Sequence, residues 1–250
     1  MKVQHSCALG LVGFVGLVAV VHGQDGQGTL ASRAAAAVTL SPGQRTLDRF
    51  LADTDGRLVS YRAMRYLTVV ARGGKMTASL TARTSLDADS GFKYEVLNES
   101  GSGMLRSRVL HGVLEAESDA KRRERGEHGA LTLANYSFAP GDVNDAGLLR
   151  VAIHPRRKDS LLLEGSILLT NDDADLVQME GLLVKRPSFW TRKVQIVRTY
   201  GRVGGVRVPL TTGSTADILF AGQSTFSMRY EYQSINDVSI EASPVVSSSR

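Results

Sequence analysis

The stretch GSGMLRSRVLHGVLEAESDAKRRERG, residues 101–126, decides how the rest of the chain is read. Leu105, Val109, Val113 and Ala116 or Ala120 recur every three to four residues, and Leu110 and Leu114 widen the apolar stripe. Arg106, Arg108, Glu115, Asp119 and Arg123 take the opposite side. That spacing predicts an amphipathic helix. Gly101 and Gly103 break the segment before it, and Ser102 is placed to cap its first turn. Lys121, Arg122, Arg123 and Arg125 gather where a helix dipole favours cations, and Gly126 ends the pattern. A helix with so wide an apolar face must lie on a sheet.

On both sides of this helix the period changes to that of strands. Leu58 to Arg72, Lys75 to Leu86 and Phe92 to Asn98 are separated by Gly73-Gly74 and Asp89-Ser90-Gly91, which read as hairpin turns. After a polar joint at Glu127-His128-Gly129, strands are predicted at Leu148–His154, Leu161–Thr170, Leu176–Val184, Phe189–Tyr200, Val206–Leu219 and Ser224–Gln233. Ser224–Gln233 has the cleanest alternation, with Phe226, Met228, Tyr230 and Tyr232 on one side and Thr225, Ser227, Arg229 and Glu231 on the other. In Phe189–Tyr200 the side holding Trp190, Val194 and Ile196 also holds Arg192 and Arg198, so either its edges reach solvent or a bulge shifts the register. No strand–helix–strand alternation occurs. The pattern is two antiparallel meanders with one long helix between them. Many consecutive twisted strands tend to curl, so the expected fold is α+β: a curved antiparallel sheet, an open half-barrel, covered on its concave face by the long helix and by a short helix starting at Ser41-Pro42 and carrying Leu47, Phe50 and Leu51.

Composition bounds the rest. Lys2 followed by the apolar run Cys7–Val21 and the small residues up to Gly23 reads as an export signal cleaved after Gly23, in preference to a retained anchor. The organisation expected is a signal over 1–23, a Gly-, Ala- and Gln-rich leader over 24–40, one domain over 41–238 and a frayed tail over 239–250. The single cysteine, Cys7, leaves with the signal, so the exported chain forms no disulfide. Of the net charge of +5, Lys2 accounts for the one charge in residues 1–23. The basic remainder suits peripheral contact with anionic lipid and is also an ordinary surface. Sparse aromatics without interleaved cations exclude a stacking platform for nucleic acid.

The segments Tyr94–Gly103, Arg108-Val109-Leu110, Leu114-Glu115-Ala116-Glu117, Glu180-Gly181, Pro187-Ser188-Phe189-Trp190 and Tyr230-Glu231-Tyr232, taken in order over about residues 45–235, resemble a group of exported bacterial proteins similar in architecture to the outer-membrane lipoprotein-sorting, LolA-like superfamily. The resemblance implies an unclosed barrel wrapped over helices, with a hydrophobic cavity for the acyl chains of a lipid or lipoprotein in transit. Asn144-Asp145-Ala146-Gly147 and Leu168-Leu169-Thr170 depart from the family pattern, and fold transfers more readily than activity.

Binding an acyl chain requires a dry concave wall and a cover. The residues expected to line it are Leu105, Val109 and Val113 of the helix with Trp190, Val194, Ile196, Phe226, Met228 and Tyr230 of the strands. Pattern alone leaves open whether they line a cavity or fill a core. Catalysis finds no constellation. Gly101-Ser102-Gly103 lacks the flanking glycines of a nucleophile elbow. His111 and His154 have no partner at metal-ligand spacing, and Asn171-Asp172-Asp173-Ala174-Asp175 lacks the glycine and glutamate of a calcium loop. The expectation is a periplasmic binding protein with no cofactor, metal or enzymatic activity. It is expected to act as a carrier or chaperone in lipoprotein sorting or envelope maintenance; the alternative is a protein-interaction or stress-sensor module on the same fold.

Overall fold

The structure, a computed structural model, describes residues 41–52, 56–122, 128–186, 191–219 and 222–240. The expected signal, the leader and residues 241–250 of the expected tail lie outside the described residues, as does Trp190. Eleven strands form one sheet in the order β3-β2-β1-β10-β9-β8-β7-β6-β5-β4, with β11 (Val238–Ser239) paired to β10. The first meander is β1 (Tyr61–Ala71), β2 (Met76–Asp87) and β3 (Gly91–Gly101). The second runs through β4 (Tyr136–Val143), β5 (Leu148–Pro155), β6 (Leu163–Thr170), β7 (Leu176–Leu183), β8 (Thr191–Val203), β9 (Val206–Ile218) and β10 (Gly222–Ile235). Every pairing is antiparallel, and β1 joins the meanders by pairing with β10 along its whole length.

The sheet is not closed. Among the described residues its end strands, β3 and β4, each have one partner. They are consecutive in the chain, so the segment between them must travel from one edge of the sheet to the other. The long helix is that crossover. It runs as α-helix over Gly103–Leu105, as π-helix over Arg106–His111 and as α-helix again over Gly112–Arg122. Helix α1 (Pro42–Ala52) lies at the β4 end: Gly43 sits against Leu149 and Pro140, while the Arg207 guanidinium of β9 lies 5.3 Å from the Phe50 ring. In a flat sheet β4 and β9 would be about 24 Å apart, whereas Gly43 and Phe50 are separated by roughly 10 Å of helix. One short helix can touch both only because the sheet curls around it.

Each open edge is blunted. Leu97 bulges out of β3 between the pairs Thr81–Asn98 and Ala82–Val96, and Lys93 and Glu95 are exposed along the same strand. Pro140 interrupts the ladder of β4, where the register breaks before Val143. Bulges, charges and proline on an edge discourage pairing with another chain.

Three features differ from the sequence expectation. Strand β4 falls between the joint at Glu127-His128-Gly129 and the strand expected from Leu148, where the sequence pattern predicts no element; Pro140-Gly141 breaks the strand pattern there, and an edge strand tolerates the proline. Ser102 occupies the cap position but its side chain makes no capping bond; the joint is held instead by its backbone N–H donating to the Thr77 carbonyl at 2.8 Å. Gly101 beside it has φ of +82°, and a Cβ there would stand 2.3 Å from that carbonyl oxygen, so this hinge requires glycine. The helix is also not α throughout, since one full turn is π.

Gly165 and Gly181 face each other across β6 and β7, and a Cβ on either would lie within 2.6 Å of the partner strand's backbone: 2.1 Å from Glu180 O for Gly165 and 2.5 Å from Glu164 O for Gly181. Strands approach this closely where a sheet coils sharply. Gly165→Ala or Gly181→Ala should therefore destabilise the fold by roughly 1–3 kcal/mol or more, seen as a lower urea midpoint; a wild-type midpoint would show that the strands have room to part.

Candidate functional site

The inner wall is built by alternation. Tyr61, Ala63, Arg65, Leu67 and Val69 of β1 point inward, with Ala78, Leu80 and Ala82 of β2 on one side and Phe226, Met228 and Tyr230 of β10 on the other, all buried. Register places Val69 opposite Phe226, Leu67 opposite Met228 and Arg65 opposite Tyr230. The crossover helix lays Leu105, Val109, Leu110, Val113 and Leu114 onto this wall, and these side chains form one buried cluster with it. A second cluster, under α1, holds Leu47 and Phe50 with Leu149, Val151, Ile167 and the Val194 and Ile196 side chains of β8.

Of the lining residues expected from sequence, the structure thus brings Leu105, Val109, Val113, Phe226, Met228 and Tyr230 together, and sets Val194 and Ile196 in the other cluster. Trp190 lies outside the described residues. On β8 a register shift between Thr191 and Lys193 turns Arg192 outward, so the bulge alternative holds at that end. Arg198 does not reach solvent. It is buried in the wall, with its Nε donating to Thr212 Oγ1 at 3.1 Å and Tyr200 hydrogen-bonded beside it.

The feature that sequence reasoning missed is an ion pair at the centre of this apolar wall. Arg65 is 1% exposed and Glu117, on the crossover helix, 0%. The guanidinium donates from Nη1 to Glu117 Oε2 and from Nη2 to Oε1 at 2.9 Å, a two-pronged contact, and from Nη2 to the Tyr61 hydroxyl at 2.5 Å. The Tyr61 hydroxyl donates in turn to Glu117 at 3.3 Å. Rings box the cation, with centroids 4.7 Å (Tyr230), 5.0 Å (Phe92) and 5.8 Å (Tyr61) from its carbon. Opposite Arg65 on β2 stands Ala82, whose small side chain leaves room for the guanidinium. Arg65 Nε is buried without an acceptor among the described residues. Burial opposes the Arg65 charge, but Glu117 and the neighbouring tyrosines outweigh it and hold the group protonated. Burial also pushes the Tyr61, Tyr230 and Tyr232 hydroxyls above their ordinary range, and that of Tyr136, whose hydroxyl accepts from Leu163 N–H, to about 12.

Legible signals for this pair exist. Arg65 falls in phase with Tyr61, Ala63, Leu67 and Val69, and Glu117 follows Val113 by four residues and Leu110 by seven on the helix. A charge in the apolar phase of two different elements points to a buried partner.

A second clamp holds the start of the helix. Arg106 and His111 are the first and last residues of the π turn, and both meet Glu99 of β3: Arg106 Nη1 on Oε1, and His111 Nε2 with Oε2 at 2.7 Å. Positions five apart on an α-helix diverge by about 140°; the wider π winding turns them toward one side. His111 is therefore a satisfied surface histidine. Its hydrogen bond, with Arg106 nearby, holds the Glu99 carboxyl below the usual range.

Other charged segments have structural roles. Arg156 and Arg157 bond Tyr136 O, Asn135 Oδ1 and His128 O, securing the end of the crossover, while the side chains of Lys121–Arg125 lie outside the described residues. Residues 171–175 form the β6–β7 turn, where Asp175 receives Arg202 and Arg207. A shallow depression of about 740 Å³ lies between α1 and this turn, bordered by Pro42, Arg45, Asp48, Arg49 and Asp172.

No protein-family model and no curated protein matches the chain. Solved structures similar to it include a domain described as an outer membrane lipoprotein-sorting protein from Vibrio parahaemolyticus, at 8% identity and a TM-score of 0.38 over 78% of this chain and 91% of that one. A LolA superfamily protein from Nitrosomonas europaea is similar at 9% identity and a TM-score of 0.34, covering 81% of this chain and 94% of that one. MucB, solved in complex with MucA(peri), is similar at 11% identity and a TM-score of 0.19 over 77% and 94%.

Glu117→Ala leaves Arg65 buried without its carboxylate and should cost about 3–5 kcal/mol. Arg65→Met combined with Glu117→Leu should recover most of that loss in urea unfolding; a Glu117→Ala protein as stable as wild type would show the pair to be solvated. The raised tyrosines act at alkaline pH. Their contribution is complete below the unfolded tyrosine pKa near 10 and is lost as pH rises through the folded values, toward about 12 for Tyr136. The unfolding midpoint should accordingly fall across that window, in step with the appearance of phenolate absorbance. Glu99 acts at the other end. Its lowered pKa contributes stability above the ordinary glutamate range that is lost as pH falls through the folded value, so Glu99→Gln should flatten the acid limb of the stability curve.

Proposed function

We propose that this protein is an exported, periplasmic binding protein for a lipid or lipoprotein acyl chain, acting as a carrier or chaperone in lipoprotein sorting or envelope maintenance, without catalysis of its own. The observation that carries the reading is that a helix, rather than further strands, covers the concave apolar face of an unclosed sheet. A cover of this kind can move without breaking a single strand pairing. Its N-terminal joint is the short Gly101-Ser102-Gly103 segment, where Gly101 takes a positive φ.

The apolar energetics permit an exchange of helix for ligand. The five helix side chains Leu105, Val109, Leu110, Val113 and Leu114 are buried in the cluster, and each contributes roughly 1.5–3 kcal/mol. An acyl chain contributes about 0.8 kcal/mol per methylene, so a chain of ordinary length offers a similar total. Two near-equal apolar terms keep the loaded and empty states close in free energy as far as these contacts are concerned. The adaptable Met228 side chain lies in the same wall and suits chains of different shape.

Protein purified from the periplasm and extracted with organic solvent should yield bound lipid by mass spectrometry, and the emptied protein should take up a fluorescent fatty acid saturably. An extract without lipid together with no uptake would contradict this function and favour a module that binds a protein partner.

A further inference from the structure

Any ligand that displaces the crossover helix also removes Glu117 from Arg65, because Glu117 rides on the helix and Arg65 on the wall. The arginine cannot follow. It is boxed by Tyr61, Phe92 and Tyr230, and its strand is paired on both sides, to β2 and β10. A neutral chain entering in place of the helix would leave a guanidinium in an apolar wall with no counter-charge, which is strongly unfavourable. From this we infer that the ligand is an anionic amphiphile whose head group replaces the Glu117 carboxylate on Arg65, while its acyl chain runs along the Leu67–Met228 and Val69–Phe226 pairs.

This rests on the acyl-chain reading and narrows it. Glu117 is then an internal stand-in for the head group: the resting protein fills its own site with a carboxylate and an apolar helix face, and a ligand competes with both at once. The planar fork of Arg65 matches a carboxylate or a phosphate in the same two-pronged manner. The Tyr61 hydroxyl is already a donor at this position, and Arg65 Nε is a further donor with no acceptor among the described residues. Arg198, a second guanidinium in the wall, lies within electrostatic reach of Glu117 and adds to the positive potential there. The anion's source, a free fatty acid or a phospholipid head, is a question of carboxylate against phosphate.

Full-length exported protein, freed of lipid, should be titrated with palmitate, palmitoyl lysophosphatidate and hexadecanol by displacement of a bound fluorescent acyl probe. One or both anionic ligands should bind roughly 10- to 100-fold more tightly than hexadecanol, and which of them does so distinguishes carboxylate from phosphate. In the Arg65→Met, Glu117→Leu double variant, which removes the pair without stranding either charge, that preference should vanish while hexadecanol still binds. Equal affinity for charged and neutral ligands in the wild type, or a preference that persists in the double variant, would overturn the inference and leave the acyl-chain reading standing. Absence of binding by all three would overturn both. Should the double variant not fold, the wild-type comparison alone decides.

Discussion

The Arg65–Glu117 pair is the point on which this structure depends, because it joins the two parts that strand pairing leaves independent. Eleven strands hold one another through the ladder, whereas the crossover helix is fastened to them, among the described residues, by apolar contact, by the Glu99 clamp and the Ser102–Thr77 bond at its start, and by this buried pair. Apolar contact is non-directional and would tolerate a helix that rolls or slides. A two-pronged ion pair inside a ring of tyrosines and a phenylalanine tolerates neither, so it fixes which face of the helix meets the wall.

The topology explains why such a fastening is needed. Strands β3 and β4 end the sheet on opposite sides and are adjacent in the chain, so their connection has to span the open side of the curl. Blunted edges discourage pairing with another chain, and Gly165 and Gly181 bring β6 and β7 into close approach. The result is a concave surface whose frame is held by strand pairing and whose cover is a helix held by side chains.

Much of this was legible in the sequence, for a physical reason: burial of one face imposes a period, and periods survive in the order of residues. The alternation of Phe226, Met228 and Tyr230, the glycine-rich turns and the stripe from Leu105 to Leu114 predict strands, hairpins and a covering helix without any knowledge of partners. What escaped depends on neighbours distant in sequence. Strand β4 looks like a turn because Pro140 is acceptable only where no strand follows on that side. The π turn is selected by Glu99 reaching both Arg106 and His111. Arg198 reads as a solvent-facing residue until its strand is placed mid-sheet, and Arg65 and Glu117 each resemble an error in their own pattern until they are brought together.

A crossover helix that acts as a displaceable cover on a paired frame has to loosen when ligand binds. Hydrogen–deuterium exchange of the lipid-free protein, with and without a bound fatty acid, tests it most directly. The account predicts that ligand speeds exchange across residues 105–117 of the helix while the amides of β1 and β10 keep or gain protection. Saturation with ligand that leaves the helix as protected as before, or that opens the strand ladder instead, would contradict it.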